Sequence, residues 1–453
     1  LFQKIISINL KLNKVLNKWL FQRVDNSSLI VFRICFGFLI TLEAWGAIFT
    51  GWIRRTLIEP QFTFNFIGFD FLQPLPGNGM YFYYGLMGLL GVFVMIGYKY
   101  KWSISGYTLM WTCVYLMQKS SYNNHYYLLI LILIFMLIVP ANTYASVDVK
   151  LNPKLKQISM PRWVVLFIVF QLWIVYTYAS VAKLYPDWLS GEVPAMLMKG
   201  KKDYWLVGEI LQQKWTHYVI LYFGILFDLL IVPLLLYRKT RLPMFCLAIF
   251  FHLFNSYVFR IGIFPYLSLA FCLFFFSAEL VHRRFLFKKP FYDQAEVIVP
   301  EHRNLLIGIF CVWFPLQILI PLRHWAIKGD VLWTEEGHRM SWRMMLRSKS
   351  GLASYKIVNK TTGEVNYVKK GDYLTRKQIR QASTKPDVIW QFSQRLKEIY
   401  AEKGEEIEIY VNARVSVNYK ERKQLIDPKV NMAEAEWDYF FHNDWILLHE
   451  DED

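Results

Sequence analysis

Apolar runs at about 29–49, 79–98, 102–118, 125–140, 163–183, 216–237, 242–258, 261–277 and 304–322 occupy most of the first 322 residues. A water-soluble core does not bury so many long apolar segments, and in lipid each backbone N–H and C=O must be satisfied within its own helix or closed barrel. The runs therefore predict helices that cross a bilayer. Roughly 20 apolar residues are needed per crossing, which makes 102–118, 125–140 and 261–277 the short members; the full set predicts about nine spans. With 55% hydrophobic and 18% aromatic residues among 453, the composition excludes a disordered, collagen-like or disulfide-scaffold chain.

The two ends differ in kind from this middle. Residues 1–27 predict an amphipathic helix lying in the membrane interface: Ile5, Ile6, Leu10, Leu12, Leu16 and Leu20 supply apolar surface, and Lys4, Lys11, Lys14, Lys18 and Arg23 supply charge. Residues 28–323 form the helical membrane domain, and residues 324–453 predict a soluble α+β domain. In the latter, Ile407, Ile409, Val411, Ala413, Val415, Val417 and Tyr419 alternate with polar residues as one long half-buried strand. Segments 354–358 and 364–368 flank Asn359-Lys360-Thr361-Thr362-Gly363 as a hairpin. Pro386 opens a helix with inner face Ile389, Phe392, Leu396 and Ile399, and Gly404 closes it. Asn359-Lys360-Thr361 also fits a glycosylation acceptor. A first residue of Leu rather than Met reads as a chain lacking its first few residues.

The formal charge of +16 is placed unevenly. With a cytoplasmic N-terminus, the inside loops carry Lys99 and Lys101, then Lys150, Lys154, Lys156 and Arg162, then Arg238, Lys239 and Arg241, then Arg283, Arg284, Lys288 and Lys289. The outside loops are near neutral: Arg54 and Arg55 face Glu59 and Asp70, while Lys199, Lys201 and Lys202 face Asp187, Glu192, Asp203 and Glu209. This is the positive-inside asymmetry, and an odd number of spans then puts the C-terminal domain on the extracytoplasmic side. The fold class expected is thus a polytopic α-helical membrane bundle with a C-terminal α+β extracytoplasmic domain. The basic excess orients the chain and, without zinc-finger or helix-turn-helix spacing, does not point to nucleic acid. Cys35, Cys113, Cys246, Cys272 and Cys311 all fall in apolar runs with no CxxC or Cys/His pattern, so they read as packing residues and no metal site is expected.

Three polar features interrupt the apolar runs. Lys183 ends the run at 163–183; Asn124 and His125 open the run at 125–140; His252 and Asn255, followed by Arg260, end the run at 242–258. In the topology above all three fall at the face that carries the soluble domain, which points to one site. Ionisable groups at membrane depth are costly and are candidates for function. A charged amine is poorly solvated there, and a neutral amine is a general base whose natural target is the acidic hydroxyl of a bilayer-soluble amphiphile such as a hydroquinone. Lys183 could equally snorkel to the headgroups. Asn124 and His125 could equally be a helix-end cap and an interface histidine. Arg33, Glu43 and Asp228 are the other intramembrane charges: Arg33 could snorkel to the inner face, and mid-span Asp228 must be protonated or paired with a group that the sequence does not name, and reads as structural.

The tracts Ser28-Leu29-Ile30-Val31-Phe32-Arg33 with Phe36-Gly37-Phe38-Leu39, Lys119-Ser120-Ser121-Tyr122-Asn123-Asn124-His125, Val175-Tyr176 through Lys183-Leu184 to Asp187-Trp188, Phe251-His252 with Asn255-Ser256, Ile261-Gly262-Ile263-Phe264, and Ser341-Trp342-Arg343-Met344-Met345 resemble the vitamin K-dependent γ-glutamyl carboxylases over nearly the whole chain. The resemblance implies a membrane enzyme in which oxygenation of vitamin K hydroquinone, or menaquinol, to the epoxide generates the base that removes a γ-proton from peptidyl glutamate, after which CO2 adds. It implies the lipid bilayer and a glutamate-containing peptide or protein as partners, O2 and CO2 as co-substrates, and no metal. It implies Lys183 as the base that starts hydroquinone oxidation, with Asn124 and His125 assisting, and Trp342, Met344 and Met345 in the region that receives glutamate. Arg347 and Lys349 stand where the animal enzymes have His and Arg, and either could bind a carboxylate, Arg347 bidentately. His252 and Asn255 are expected at the quinone. Ala182 replaces the first of two adjacent lysines of the animal enzymes, and no cysteine lies outside the apolar runs to match their lumenal disulfide, so the chain looks more like the bacterial members. Two alternatives stay open: a quinol oxygenase that does not carboxylate, and a non-catalytic quinone- or lipid-binding membrane module.

Overall fold

The computed structural model describes residues 2–449, with side chains from residue 11 onward. Helix α1 (Phe2–Phe21) leaves Leu12, Val15, Leu16 and Trp19 exposed, an uncovered apolar strip of the kind that lies in a membrane interface. The side chains of Lys4, Ile5, Ile6 and Leu10, expected to contribute, lie outside the described ones. Then follow α2 (Ser27–Phe49), α3 (Gly79–Ile96), α4 (Tyr100–Met117), α5 (Asn124–Ile138), α6 (Trp163–Val181), α7 (Lys214–Leu236), α8 (Arg241–Phe259), α9 (Phe264–Phe271), α10 (Ala278–Phe285) and α11 (Arg303–Leu322). The nine apolar runs all map onto helices of this series.

Six of these helices are long and apolar enough to cross a membrane: α2, α3, α6, α7, α8 and α11. A seventh span results if 264–274 and α10, bent by 115° to one another, act as one. The three runs marked as short in the sequence are the ones that fall outside the six. Helix α5 has 15 residues, about 22 Å at 1.5 Å per residue against a hydrocarbon core of about 30 Å. Helix α4 reaches 18 residues, but Lys101, Ser103, Ser105 and Thr108 dilute its hydropathy. Helix α9 stops after 8 residues.

Small residues let the first helices approach closely. A Cβ at Gly37 would stand 2.4 Å from the Met95 backbone, and one at Gly91 would stand 2.6 Å from Thr41 Oγ1, so the α2–α3 contact exists only with glycine at these places. Arg33 does not snorkel. It is fully buried and donates to the carbonyls of Ala141 (3.1 Å), Tyr144 (3.2 Å) and Ala145 (2.6 Å), tying α2 to the loop after α5. Those carbonyls take its two terminal nitrogens where lipid would not.

Short strands β1 (Arg23–Asp25) and β2 (Ser159–Pro161) pair antiparallel beside the bundle. The C-terminal part holds β3 (Lys349–Asn359), β4 (Val365–Tyr367), β5 (Ile407–Val417) and β6 (Lys423–Gln424) in the antiparallel order β4-β3-β5-β6, with helices α12 (Arg376–Gln381) and α13 (Pro386–Ala401). The alternation in β5 buries Ile407, Ile409, Val411, Ala413 and Val415 against Phe392 and Leu396 of α13. The strand ends at Val417 instead of Tyr419 because Asn418 and Tyr419 turn into left-handed backbone, φ 52° and 62°. Gly404, φ 79°, closes the region after α13.

The two parts share a core. Phe64, from the loop between α2 and α3, packs with Tyr355, Phe392 and Val411 of the C-terminal part. Gln378 Nε2 donates to Phe62 O (2.8 Å), Gln391 Nε2 to Asn65 O (3.0 Å) and Gln381 Nε2 to Ser120 O (2.7 Å).

Candidate functional site

A cavity of about 740 Å³ opens where the helical bundle meets the C-terminal part. Helices α2, α3, α4 and α5 give it an aromatic and apolar wall through Ala47, Tyr84, Trp111 and Leu129, together with Glu43. Loop residues 260–263 and Phe264 close a second side. His338, Arg339, Arg343, Met344, Met345 and Lys385 form the third. The volume lies within the roughly 300–1,000 Å³ of small-molecule pockets, and an apolar wall facing a few polar groups is the usual pattern of one.

The start of α5 builds the centre of this cavity. Asn123 caps the helix, its Oδ1 accepting from the Tyr126 N–H at 2.8 Å. The cap foreseen at Asn124 therefore belongs to its neighbour. Asn124 Oδ1 accepts from Tyr122 Oη (2.7 Å), and its Nδ2 donates to Arg343 O (3.0 Å), leaving one N–H and one lone pair. His125 lies flat on Phe264, ring centroids 3.8 Å apart and planes at 15°, with a buried Nδ1 that has no partner. The N-terminus of α5 also carries the positive end of the helix dipole into the cavity.

Segment 338–345 is held in an unusual shape. Met340, Trp342 and Met345 have φ of 59°, 58° and 55°. Sparsely populated backbone of this kind carries roughly 1–3 kcal/mol per residue and persists only where surroundings fix it. The fixing contacts come from the Tyr122–Asn124 tract: the Met340 N–H donates to Tyr122 Oη at 2.6 Å, and Arg343 O takes the Asn124 amide. Met344 and Met345 consequently face the cavity. Trp342 does not: it is 1% exposed and packs on Tyr127, centroids 5.1 Å apart, as a wall behind them.

Two buried charge networks flank this segment. Asp387, in the first turn of α13, pairs with Lys119 (2.5 Å) and Arg339 (2.8 Å). Burial opposes ionisation of Asp387, but Arg339 and Lys119 overcome it and hold the carboxyl well below the usual carboxylate range. Burial takes Lys119 down to about 8 against the pull of Asp387. In the second network, Glu335 pairs with Arg347 and, at 3.7 Å, with Lys349. Burial of Glu335 is outweighed by Arg347 and Lys349, so its carboxyl also sits well below its ordinary range. Arg347 and Lys349, expected to meet a substrate carboxylate, do not line the cavity: a buried carboxylate needs compensation, and Glu335 takes both cations.

The cations that do reach the cavity are Arg260, Arg339, Arg343 and Lys385. The Lys385 side chain makes no ion pair or hydrogen bond among the described residues, and burial lowers its amine, with Arg339 adding to that effect against Glu335. His338 stays neutral, since burial and then Arg347 depress it well below the ordinary imidazole value. Sequence reasoning missed this rim. Arg343 stood in a tract already singled out, but Lys385 lies 46 positions after Arg339 in the chain (385 − 339), and only the tertiary fold brings them to one wall.

Lys183, His252 and Asn255 stand at the same end of the bundle yet do not line the cavity. Lys183 forms an ion pair with Asp228 of α7, which supplies the partner missing from the sequence, and also donates to Ala179 O at 3.1 Å. Its ammonium lies 5.8 Å from the Trp188 ring centre. His252 Nε2 bonds Tyr176 Oη at 3.1 Å. Its ring stands 6.3 Å from Phe264, whose other neighbour is His125. Phe227, beside Asp228 in the chain, contacts both Tyr176 (6.4 Å) and His252 (6.1 Å). Lys183 thus does not line the cavity that Asn124 and His125 line, where topology led one to expect all three. Asn255 is half-buried on the last turns of α8.

Comparison with known families covers most of the chain. A family model described as HTTM domain matches residues 21–279, and one described as vitamin K-dependent gamma-carboxylase, lumenal domain, matches residues 302–452. No solved structure matches.

Proposed function

Because this chain belongs to the vitamin K-dependent γ-glutamyl carboxylase family, we propose that it is a multi-pass membrane enzyme that oxygenates a vitamin K-type hydroquinone and carboxylates peptidyl glutamate. The hydroquinone, when bound, supplies the strong base that no side chain of the protein can provide for a carbon-bound proton. The observation that carries the reading is the shared cavity. Its lining joins aromatic and apolar side chains of the membrane helices, as a lipid-soluble ring requires, to Arg343 and Lys385 of the C-terminal part, as a glutamate carboxylate requires.

In this reading Asn124 and His125 stabilise charge on a reacting oxygen through the free amide N–H and the imidazole, aided by the α5 dipole. Met344 and Met345 receive the glutamate side chain, and Trp342 backs them. Arg347 and Lys349 act indirectly, by anchoring the strand that follows to Glu335. Lys183 is the initiating base, with Asp228 of α7 as the carboxylate partner that can share its proton. His252 and Asn255 support the wall that carries Phe264, next to the ring. The C-terminal part, residues 324–453, faces the extracytoplasmic side, as the loop-charge asymmetry supports.

The test is a coupled assay on the full chain in lipid nanodiscs, with vitamin K hydroquinone, O2, a glutamate peptide and labelled bicarbonate. Epoxide together with label in peptide is expected. Epoxide without label reduces the function to quinol oxygenation, and neither product refutes the enzyme reading. Protease access to the C-terminal part in sealed, oriented vesicles checks its side.

A further inference from the structure

Glu43 is the charge that the mechanism above leaves unused. It lies in α2, an apolar span in which an ionisable residue is costly, and it lines the same cavity as His125. Tyr126 Oη donates to Glu43 Oε1 at 2.9 Å, and the Ile263 backbone also faces this carboxyl. A carboxylate has about four acceptor positions, so two donors leave it half-used. Residue 262, beside Oε2, is glycine: a Cβ there would make ordinary van der Waals contact with Oε2 at 3.6 Å, and φ +65° disfavours any other residue, so no side chain from this position covers that oxygen. Every other fully charged side chain lining the cavity is a donor: Arg260, Arg339, Arg343 and Lys385. A hydroquinone presents O–H donors, and its oxidised quinone presents acceptors alone.

We propose that Glu43 is the residue that distinguishes the reduced from the oxidised ring, its Oε2 accepting a hydrogen bond from a hydroquinone hydroxyl while Tyr126 fixes Oε1. This inference rests on the hydroquinone reading above and deepens it by naming the group that selects the redox state of the ligand. The quinone offers Oε2 no proton and meets an acceptor with an acceptor, and so does the epoxide formed in turnover, whose ring oxygens carry no O–H either; the site thus favours the ring it consumes over the spent one.

The test measures binding, without turnover. Quenching of tryptophan fluorescence is titrated anaerobically on the full chain in nanodiscs, with a short-chain menaquinol and with the matching menaquinone. Wild type should bind the hydroquinone tighter by tenfold or more, about 1.4 kcal/mol, as expected for a hydrogen bond to a charged acceptor. In Glu43→Gln the preference should collapse to within about threefold while menaquinone affinity is kept, which also shows the cavity intact. An unchanged preference in Glu43→Gln overturns the proposal. Should that variant lose both ligands, Glu43→Asp decides: a recovered preference for hydroquinone supports the role, and loss of both ligands again makes Glu43 a packing residue. If wild type binds neither ligand, the hydroquinone reading itself falls.

Discussion

Replacing Asp387 by Asn should loosen the joint between the bundle and the C-terminal part. Asp387 and Lys119 are 3% and 2% exposed and 2.5 Å apart, with Arg339 at 2.8 Å. At an effective dielectric of about 20, charges this close attract by on the order of 6 kcal/mol. Desolvation offsets several kcal/mol per ion, so the intact triad is near balance; removing its one anion leaves two buried cations and costs about 3–5 kcal/mol. For a part of this size that corresponds to a fall of roughly 10 °C in the unfolding temperature. A thermal scan of the purified full chain, followed by tryptophan fluorescence, reads it directly. Protease cleavage within 323–348 should rise in parallel, since Arg339 lies in that segment. The triple change Lys119→Met, Arg339→Met, Asp387→Leu should recover most of the loss, because apolar residues of similar volume do not need the pairing. If Asp387→Asn melts within about 2 °C of wild type, the triad is not desolvated as its burial requires and the reasoning fails.

Other outcomes follow from the same geometry. Lys183→Ala and Asp228→Asn should both abolish hydroquinone oxidation while quinone binding is kept; full activity in Asp228→Asn would separate the pair from the chemistry. Lys385→Gln and Arg343→Gln should each raise KM for the glutamate peptide by roughly tenfold, with little change in epoxide formed at saturating peptide; an unchanged KM in both would remove the cationic rim from substrate binding. Asp387 and Glu335 have folded pKa values below their unfolded ones, near 4. Their contribution to stability is complete above about pH 4 and is lost as pH falls through the lower folded values, so acid unfolding should begin below about pH 4 and Asp387→Asn should flatten it.

The helices were legible because lipid leaves the backbone few options, and the runs 102–118, 125–140 and 261–277 announced their shortness in composition alone. The strand at 407–417 and the helix after Pro386 declared themselves through period and punctuation. Counting nine crossings put Asn124, His125, Lys183 and His252 at one face, whereas six helices are long and apolar enough to cross and only Asn124 and His125 of the four line the cavity. What could not be read was partnership. Nothing local marks Asp228 as the mate of Lys183, or Glu335 as the group that occupies Arg347 and Lys349, because these pairs are set by helix rotation and strand register. The same holds for Arg33, whose carbonyl partners at 141, 144 and 145 lie more than 100 positions away. Sequence gave the cations and left open which of them were already spoken for.

The chamber has walls from both halves of the chain: Trp111 and His125 on one side, Met344 and Lys385 on the other. Neither half encloses it alone. Gene fragments split in the connection near residue 323 would therefore regain activity only on reassembly, which makes turnover a sensor of docking. In the proposed reaction a lipid-soluble ring and a polar polypeptide, which share no solvent, would meet in this one chamber, each held by the half of the chain whose chemistry suits it.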